Sequence, residues 1–320
     1  MGDPFLHREP AALSVSAGRP VYRSMAARQS ARRIVSAALS GCLAITLPMI
    51  GLLPTLAEAR PLDDVIESGS MTVFVYSDYS PYSRRDGDSA TGIDADIGRA
   101  FGKSLGVDIE FLVRGADENV DDDLRVNIWK GDLINRRAAD VMMHVPFDRE
   151  LDARNDLAVI TAPYFQEEMA LLHDVAKVPE VASFGRFVST PIAVEVDTAG
   201  DFFLSGAFNG QLQQSVRRGR TFEDAMTLLL EGEVPALLST RAQAEWVATQ
   251  AATLDIDTDI AQPPMPGIVR GGWPIGIAVK HDSRDLGYAL GDVVSELIAS
   301  GEMAAIYARY GVTYVPPVLP

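Results

Sequence analysis

At 320 residues, 47% of them apolar, the chain is long enough for two domains and supplies a sizeable core. Its formal net charge of −16 excludes nucleic acid, whose recognition needs basic faces. Residues 1–59 hold six Arg and three acids, leaving 22 basic against 41 acidic residues in 60–320, a balance that attracts a basic partner.

Arg28, Arg32 and Arg33 precede an apolar stretch, 34–56, and Ala57-Glu58-Ala59 follows with small residues. This pattern predicts a targeting segment over 1–59, cleaved after Ala59, with export to the periplasm; Met1 and Met25 are both candidate starts. Two other readings stay open. An uncleaved anchor is opposed by Pro48, Gly51 and Pro54, which interrupt the run. A lipoprotein-type box at Leu39-Ser40-Gly41-Cys42 is opposed by the apolar residues after it. Cys42 is the only cysteine, so cleavage after Ala59 removes disulfides, thiolate metal sites and cysteine nucleophiles together.

A short helix is predicted over 61–69, with Leu62, Val65 and Ile66 on one face. The apolar run 72–76 reads as a buried strand, 77–91 as a polar turn, and 94–105 as a helix. Asp94 and Asp96 fall where helix-starting acids belong, and capping accounts for them better than a catalytic carboxylate pair. Val107, Ile109 and Phe111 alternate as the next strand. Such a strand–helix–strand unit puts its first loop at the carboxyl edge of a parallel sheet, where ligands bind.

The acidic stretch 115–123 reads as a solvated loop. A calcium loop and a contact surface for a basic partner are the sharper alternatives; the calcium loop lacks its Gly and terminal Glu. A helix over 124–134 and a buried strand over 139–145 follow. The strand carries Met142, Met143 and His144, and one methionine must face the core. Pro146 ends it, 147–154 forms a short acidic helix, and 162–165 leads to a second region. There, strands are predicted at 169–173, 191–196 and 236–239. Thr221 with Asp224 makes a capping box for a helix through Leu230, and another helix covers 241–250. A Pro/Gly-rich return linker at 263–272, a strand at 273–279 and helices at 285–299 and 302–310 complete the chain.

The expected architecture is α/β with two lobes, each a mainly parallel sheet flanked by helices. Lobe 1 comprises 60–168 plus 273–320, lobe 2 comprises 169–272, and a cleft separates them. His144 is a cleft residue or a satisfied strand-end histidine; Trp129 and Trp273 read as core. His173 and His281 lack ligand-spaced companions, so no metal site is expected. No nucleophile elbow or phosphate loop is present, which argues against an enzyme.

Thr91-Gly92-Ile93-Asp94-Ala95-Asp96-Ile97 resembles the signature of periplasmic solute-binding proteins of the polar amino-acid type, extracellular family three. Tyr79-Ser80-Pro81-Tyr82 resembles that family's aromatic loop, and Ala139–Met142, Ala162-Pro163-Tyr164, Glu195–Asp201 and Glu231–Thr240 resemble later elements in order. Two departures stand out. The position after the third strand reads His144-Val145-Pro146-Phe147-Asp148, without the hydroxyls and Arg that grip an α-carboxylate, and Arg149 and Arg154 are out of register. The second-lobe Asp that pairs with an α-ammonium is absent near Ser239-Thr240.

The stretch Ala139–Asp148 is similar to the MoxJ/XoxJ-like branch that accompanies pyrroloquinoline-quinone (PQQ) alcohol dehydrogenases. That resemblance implies a non-catalytic periplasmic accessory of a methanol-type dehydrogenase, or of its cytochrome c, acting through an open apolar cleft. The PQQ would belong to the partner, with no cofactor on this chain. The alternative is a receptor that hands a small non-amino-acid solute to an ABC permease. The cleft residues implied are Asp78, Tyr79, Tyr82, His144, Phe147, Asp148, Arg154, Tyr164, Asp197 and Thr198.

Overall fold

The computed structural model describes residues 59–267 and 272–319. The Arg-rich and apolar parts of the targeting segment, with Cys42, lie outside the described residues, as does part of the return linker.

After α1 (Leu62–Ser68), strand β1 (Ser70–Tyr76) is followed by three short strands, β2 (Asp78–Tyr79), β3 (Ser83–Asp86) and β4 (Ser89–Thr91). Helix α2 (Ile93–Leu105), β5 (Asp108–Arg114), α3 (Val120–Leu124), β6 (Val141–Pro146) and α4 (Arg149–Arg154) lead into β7 (Ala158–Asp174). Then come β8 (Ile192–Glu195), α5 (Ala199–Gly206), β9 (Val216–Gly219), α6 (Phe222–Leu230), β10 (Ala236–Thr240), α7 (Arg241–Thr253) and β11 (Thr258–Ala261). Strand β12 (Gly272–Lys280) and helices α8 (Arg284–Ser300) and α9 (Glu302–Ala308) close the described chain.

The main sheet runs β5-β1-β6-β12-β7-β10-β8-β9, with β11 beside β7. Its two ends are parallel, β5-β1-β6 and β10-β8-β9, each wound with helices. Between them β12 and β7 are antiparallel, and β7 belongs to both halves: Ala158–Glu168 pairs with β12, and Met169–His173 with β10. The 162–165 segment predicted to leave the first region is therefore interior to one 17-residue strand. Residues 314–318 brace it: Tyr314 Oη donates to Tyr164 O at 2.9 Å, and Gln166 N–H to Val315 O at 2.9 Å.

Alternation decides burial. Val73, Val75 and Met143 face a core with Phe101, Leu290 and Tyr307, while Phe74 and Met142 face Leu112, Leu124 and Ile128. Both methionines are wholly buried, so neither offers a contact surface. Each such side chain contributes roughly 1.5–3 kcal/mol. The second half repeats the pattern, with Leu171 and Ile192 on one face and Leu172 and Leu237 on the other.

Four expectations change. The 77–91 turn contains the antiparallel sheet β2-β3-β4, whose strands are too short to show a period. Helix α3 starts before 124, because Asn119 caps it by accepting the Asp122 N–H, and it passes into a π-helical turn, Arg125–Trp129. Leu133 and Ile134 lie beyond it, 91% and 89% exposed. On α1 Val65 is buried, but Ile66 faces solvent. The 115–123 loop is only partly solvated: Asp123 is buried beneath Tyr76, whose Oη donates to it at 2.8 Å.

Candidate functional site

Helix α2 positions the first layer. Its leading N–H groups are satisfied by loop carbonyls, Ile93 N–H to Pro81 O at 3.1 Å and Asp94 N–H to Tyr82 O at 2.8 Å. That approach requires Gly92: at φ 124° it allows the turn, and a Cβ there would sit 2.3 Å from Tyr82 O. Asp94 and Asp96 do fall in the first turn of α2, as predicted, but the helix has no side-chain cap. Asp94 instead turns inward and is fully buried. It accepts from Tyr164 Oη at 2.7 Å and lies 3.1 Å from His144 Nδ1. Asp96 faces α9 and its end, bonded to Arg309 at 2.8 Å and to Tyr310 Oη at 2.9 Å.

His144 is the hinge of this network. Its φ of 61° is rare for a side-chain-bearing residue, and its backbone N–H donates to Tyr164 Oη at 3.1 Å. The imidazole lies against Tyr79 and Tyr82, with ring centroids 4.9 and 4.1 Å away. It is thus both satisfied and a cleft residue. Desolvation holds the Tyr79 hydroxyl well above its ordinary pKa, with Glu167 and Glu195 adding to the effect. Replacing Asp94 by Ala leaves the buried Tyr164 hydroxyl without its acceptor. We expect a loss of about 2 kcal/mol in urea unfolding, with Asn recovering part of it; an unchanged midpoint contradicts this account.

Two cavities meet beside Tyr79. The outer, of about 590 Å³, is lined by Tyr76, Tyr79, His144 and Trp273 and by six carboxyl residues, Asp78, Asp117, Glu118, Asp123, Glu195 and Asp197; among the described residues Arg220 is the single Arg or Lys lining it. The inner, of about 140 Å³, is lined by Tyr79, Met169, Phe222, Leu238 and Trp273 with Glu195, Thr198, Ser239, Thr240 and Gln243. Tyr79, Glu195, Thr198 and Trp273 border both. Burial pushes the Glu195 carboxyl up to about 7, helped by Glu223 and Asp78, and burial likewise raises Asp123. Asp197, like His144, holds a positive φ of 61° at the rim. Among the described residues no three His, Cys, Asp or Glu side chains form a group able to hold a metal ion.

The structure brings Asp78, Tyr79, His144, Asp197 and Thr198 together on these cavities. Tyr82 and Tyr164 are fully buried behind them. The other three lie elsewhere. Phe147 packs against the Phe74–Leu112 core, Asp148 caps α4 by accepting from Glu150 and Leu151 N–H, and Arg154 pairs with Asp121 at 2.7 Å on the surface. An apolar cleft built on Phe147 is therefore replaced by an acidic one. Sequence reasoning missed Glu195 and Gln243 as site residues; Trp273, read as core, does pack against the cores of both halves and lines the cavities as well. Trp273 sits on β12, opposite the buried Glu167 of β7, a pairing that only the antiparallel register reveals.

No protein-family model matches the chain, and no curated protein sequence matches it. Solved structures do match, and they define the fold as that of two-lobed solute-binding proteins. The chain is similar to an ancestral cationic amino acid solute-binding protein at 18% identity and TM-score 0.61, over 78% of this chain and 98% of that one. It is similar to an amino acid ABC transporter substrate-binding protein from Streptococcus pneumoniae bound to L-arginine (19%, TM-score 0.58, covering 80% and 100%). It is also similar to a mutant of ArgBP from T. maritima (21%, TM-score 0.54, covering 78% and 98%). At these identities the likeness establishes the fold.

Proposed function

We propose that this chain is an exported, non-catalytic receptor that binds a small organic cation in its cleft and hands it to an ABC permease. The observation that carries this reading is the outer cavity, lined among the described residues by six carboxyl residues and one Arg. Tyr79 and Trp273 beside them offer the aromatic faces that cations favour. An α-carboxylate would meet no hydroxyl–Arg grip at 144–148 and would pay desolvation without a partner. The names of the structural neighbours, transport proteins for amino acids, support the receptor class. Cleavage after Ala59 fits this reading, because the new α-amino group would lie at Arg60 N, 3.0 Å from Asp140 Oδ1.

The test is a thermal-shift panel of small amines, amino acids and carboxylates. Amines should raise the melting temperature most; a response to carboxylates alone contradicts the proposal. A second reading, an accessory of a PQQ alcohol dehydrogenase or its cytochrome c, draws on the 139–148 resemblance and on the acidic rim, which suits a basic protein surface. Recovery of the dehydrogenase in near-equal amount from periplasmic extract, with no response to any amine, would favour it.

A further inference from the structure

The inner cavity differs in chemistry from the outer. Among the described residues none that lines it is Lys or Arg, and five are apolar or aromatic side chains larger than Val. Gln243, only 3% exposed, lines it. The backbone N–H of Thr240 must meet an oxygen, which fixes Gln243 Oε1 toward it at 3.2 Å and leaves the amide Nε2 as the other end. That Nε2 is buried and has no hydrogen-bond partner. A buried amide donor without an acceptor is costly, so it marks a place where a ligand oxygen belongs. The first turn of α5, Ala199 and Gly200, lines the same cavity, and leading helix N–H groups also seek acceptors. Glu195 stands at the junction of the two cavities.

We infer that the ligand is bipartite: an ammonium group held at Glu195 and the acidic rim, and a short arm in the inner cavity ending in an uncharged acceptor oxygen, such as an amide or ketone carbonyl. This rests on the cationic reading of the outer cavity. The volume of about 140 Å³ matches an arm of a few heavy atoms, close to the size of cavity that holds benzene. Among the described residues that line the inner cavity there is no cation to neutralise a carboxylate at the end of that arm.

The test is calorimetric titration of the protein with three probes of similar length: 4-aminobutanamide, pentylamine and 4-aminobutanoate. The amide should bind about tenfold more tightly than pentylamine, as one hydrogen bond to a buried donor allows. It should exceed the aminobutanoate by about a hundredfold. Gln243→Leu should erase the preference of amide over pentylamine while pentylamine still binds. Should that variant fail to fold, the wild-type ranking alone decides. Equal binding of amide and pentylamine, or tightest binding of the aminobutanoate, overturns the inference and leaves the cationic reading standing. Binding of none of the three overturns both.

Discussion

Replacing Asp140 with Ala should lower the unfolding free energy by about 3 kcal/mol, the range for breaking a buried ion pair. Asp140 is 2% exposed and anchors the start of the described chain to β6. Its Oδ1 accepts from Arg60 N at 3.0 Å and Nε at 3.1 Å; its Oδ2 accepts from Arg60 Nη2 at 2.7 Å and Thr72 N at 2.8 Å. Truncation leaves the Thr72 N–H without its acceptor and strips the guanidinium of its counter-charge, leaving it only Ser68 Oγ and Ser70 O. Arg60 is 29% exposed, so water recovers part of the loss and places the effect low in its range. Asn keeps one acceptor and should lose less. The check is urea unfolding: a midpoint shift with unchanged slope is expected, and a shift below about 0.5 kcal/mol contradicts this role.

Stability should also fall as pH rises through neutrality, and Glu167 is the reason. This residue lies on β7 where the strand passes between the halves, and it is fully buried. Its Oε1 accepts the Glu168 N–H at 2.9 Å, and the Thr240 side chain and Ala242 backbone also bear on the carboxyl. Burial raises its pKa to about 8, against the pull of Arg241 and of hydrogen bonds. The folded state then binds a proton that the unfolded state releases above about 4.5. The contribution is complete below that value and is lost as pH climbs through about 8. From about pH 5 to about pH 9 the loss is on the order of 4 kcal/mol. Glu167→Gln, neutral throughout, should flatten this slope and overtake the wild type in alkaline buffer. Parallel pH profiles for the two proteins would contradict the assignment.

What could be read in advance was local. The β1–α2–β5 unit announced itself by its apolar run, helical period and glycine stop. The Thr221–Asp224 capping box formed as its spacing predicts. What stayed hidden was long-range. Asp94 looks like any helix-starting acid until Tyr164 and His144, 70 and 50 residues away, close on it. Arg154 and Phe147 sit near His144 in sequence, but α4 carries Arg154 to the surface, and Phe147, between β6 and α4, packs on the Phe74 core. Trp273 reads as buried because β12 is apolar along its length; only its place at the meeting of the cavities makes it a site residue. Gln243 gave the one usable signal, since Thr240-Arg241-Ala242-Gln243 is itself a capping box, which the spacing alone would have shown.

The central claim is that the cleft recognises positive charge through its carboxyl groups, with Glu195 at the focus. The most direct test is the affinity of an amine probe, 4-aminobutanamide, against pH for the wild type and Glu195→Gln. Because burial places the Glu195 carboxyl at about 7, the wild type should bind progressively more tightly as pH rises through that value and then level off. The Gln variant should bind more weakly in alkaline buffer and lack that rise. Affinity independent of pH in the wild type, or unchanged by the substitution, would contradict the account.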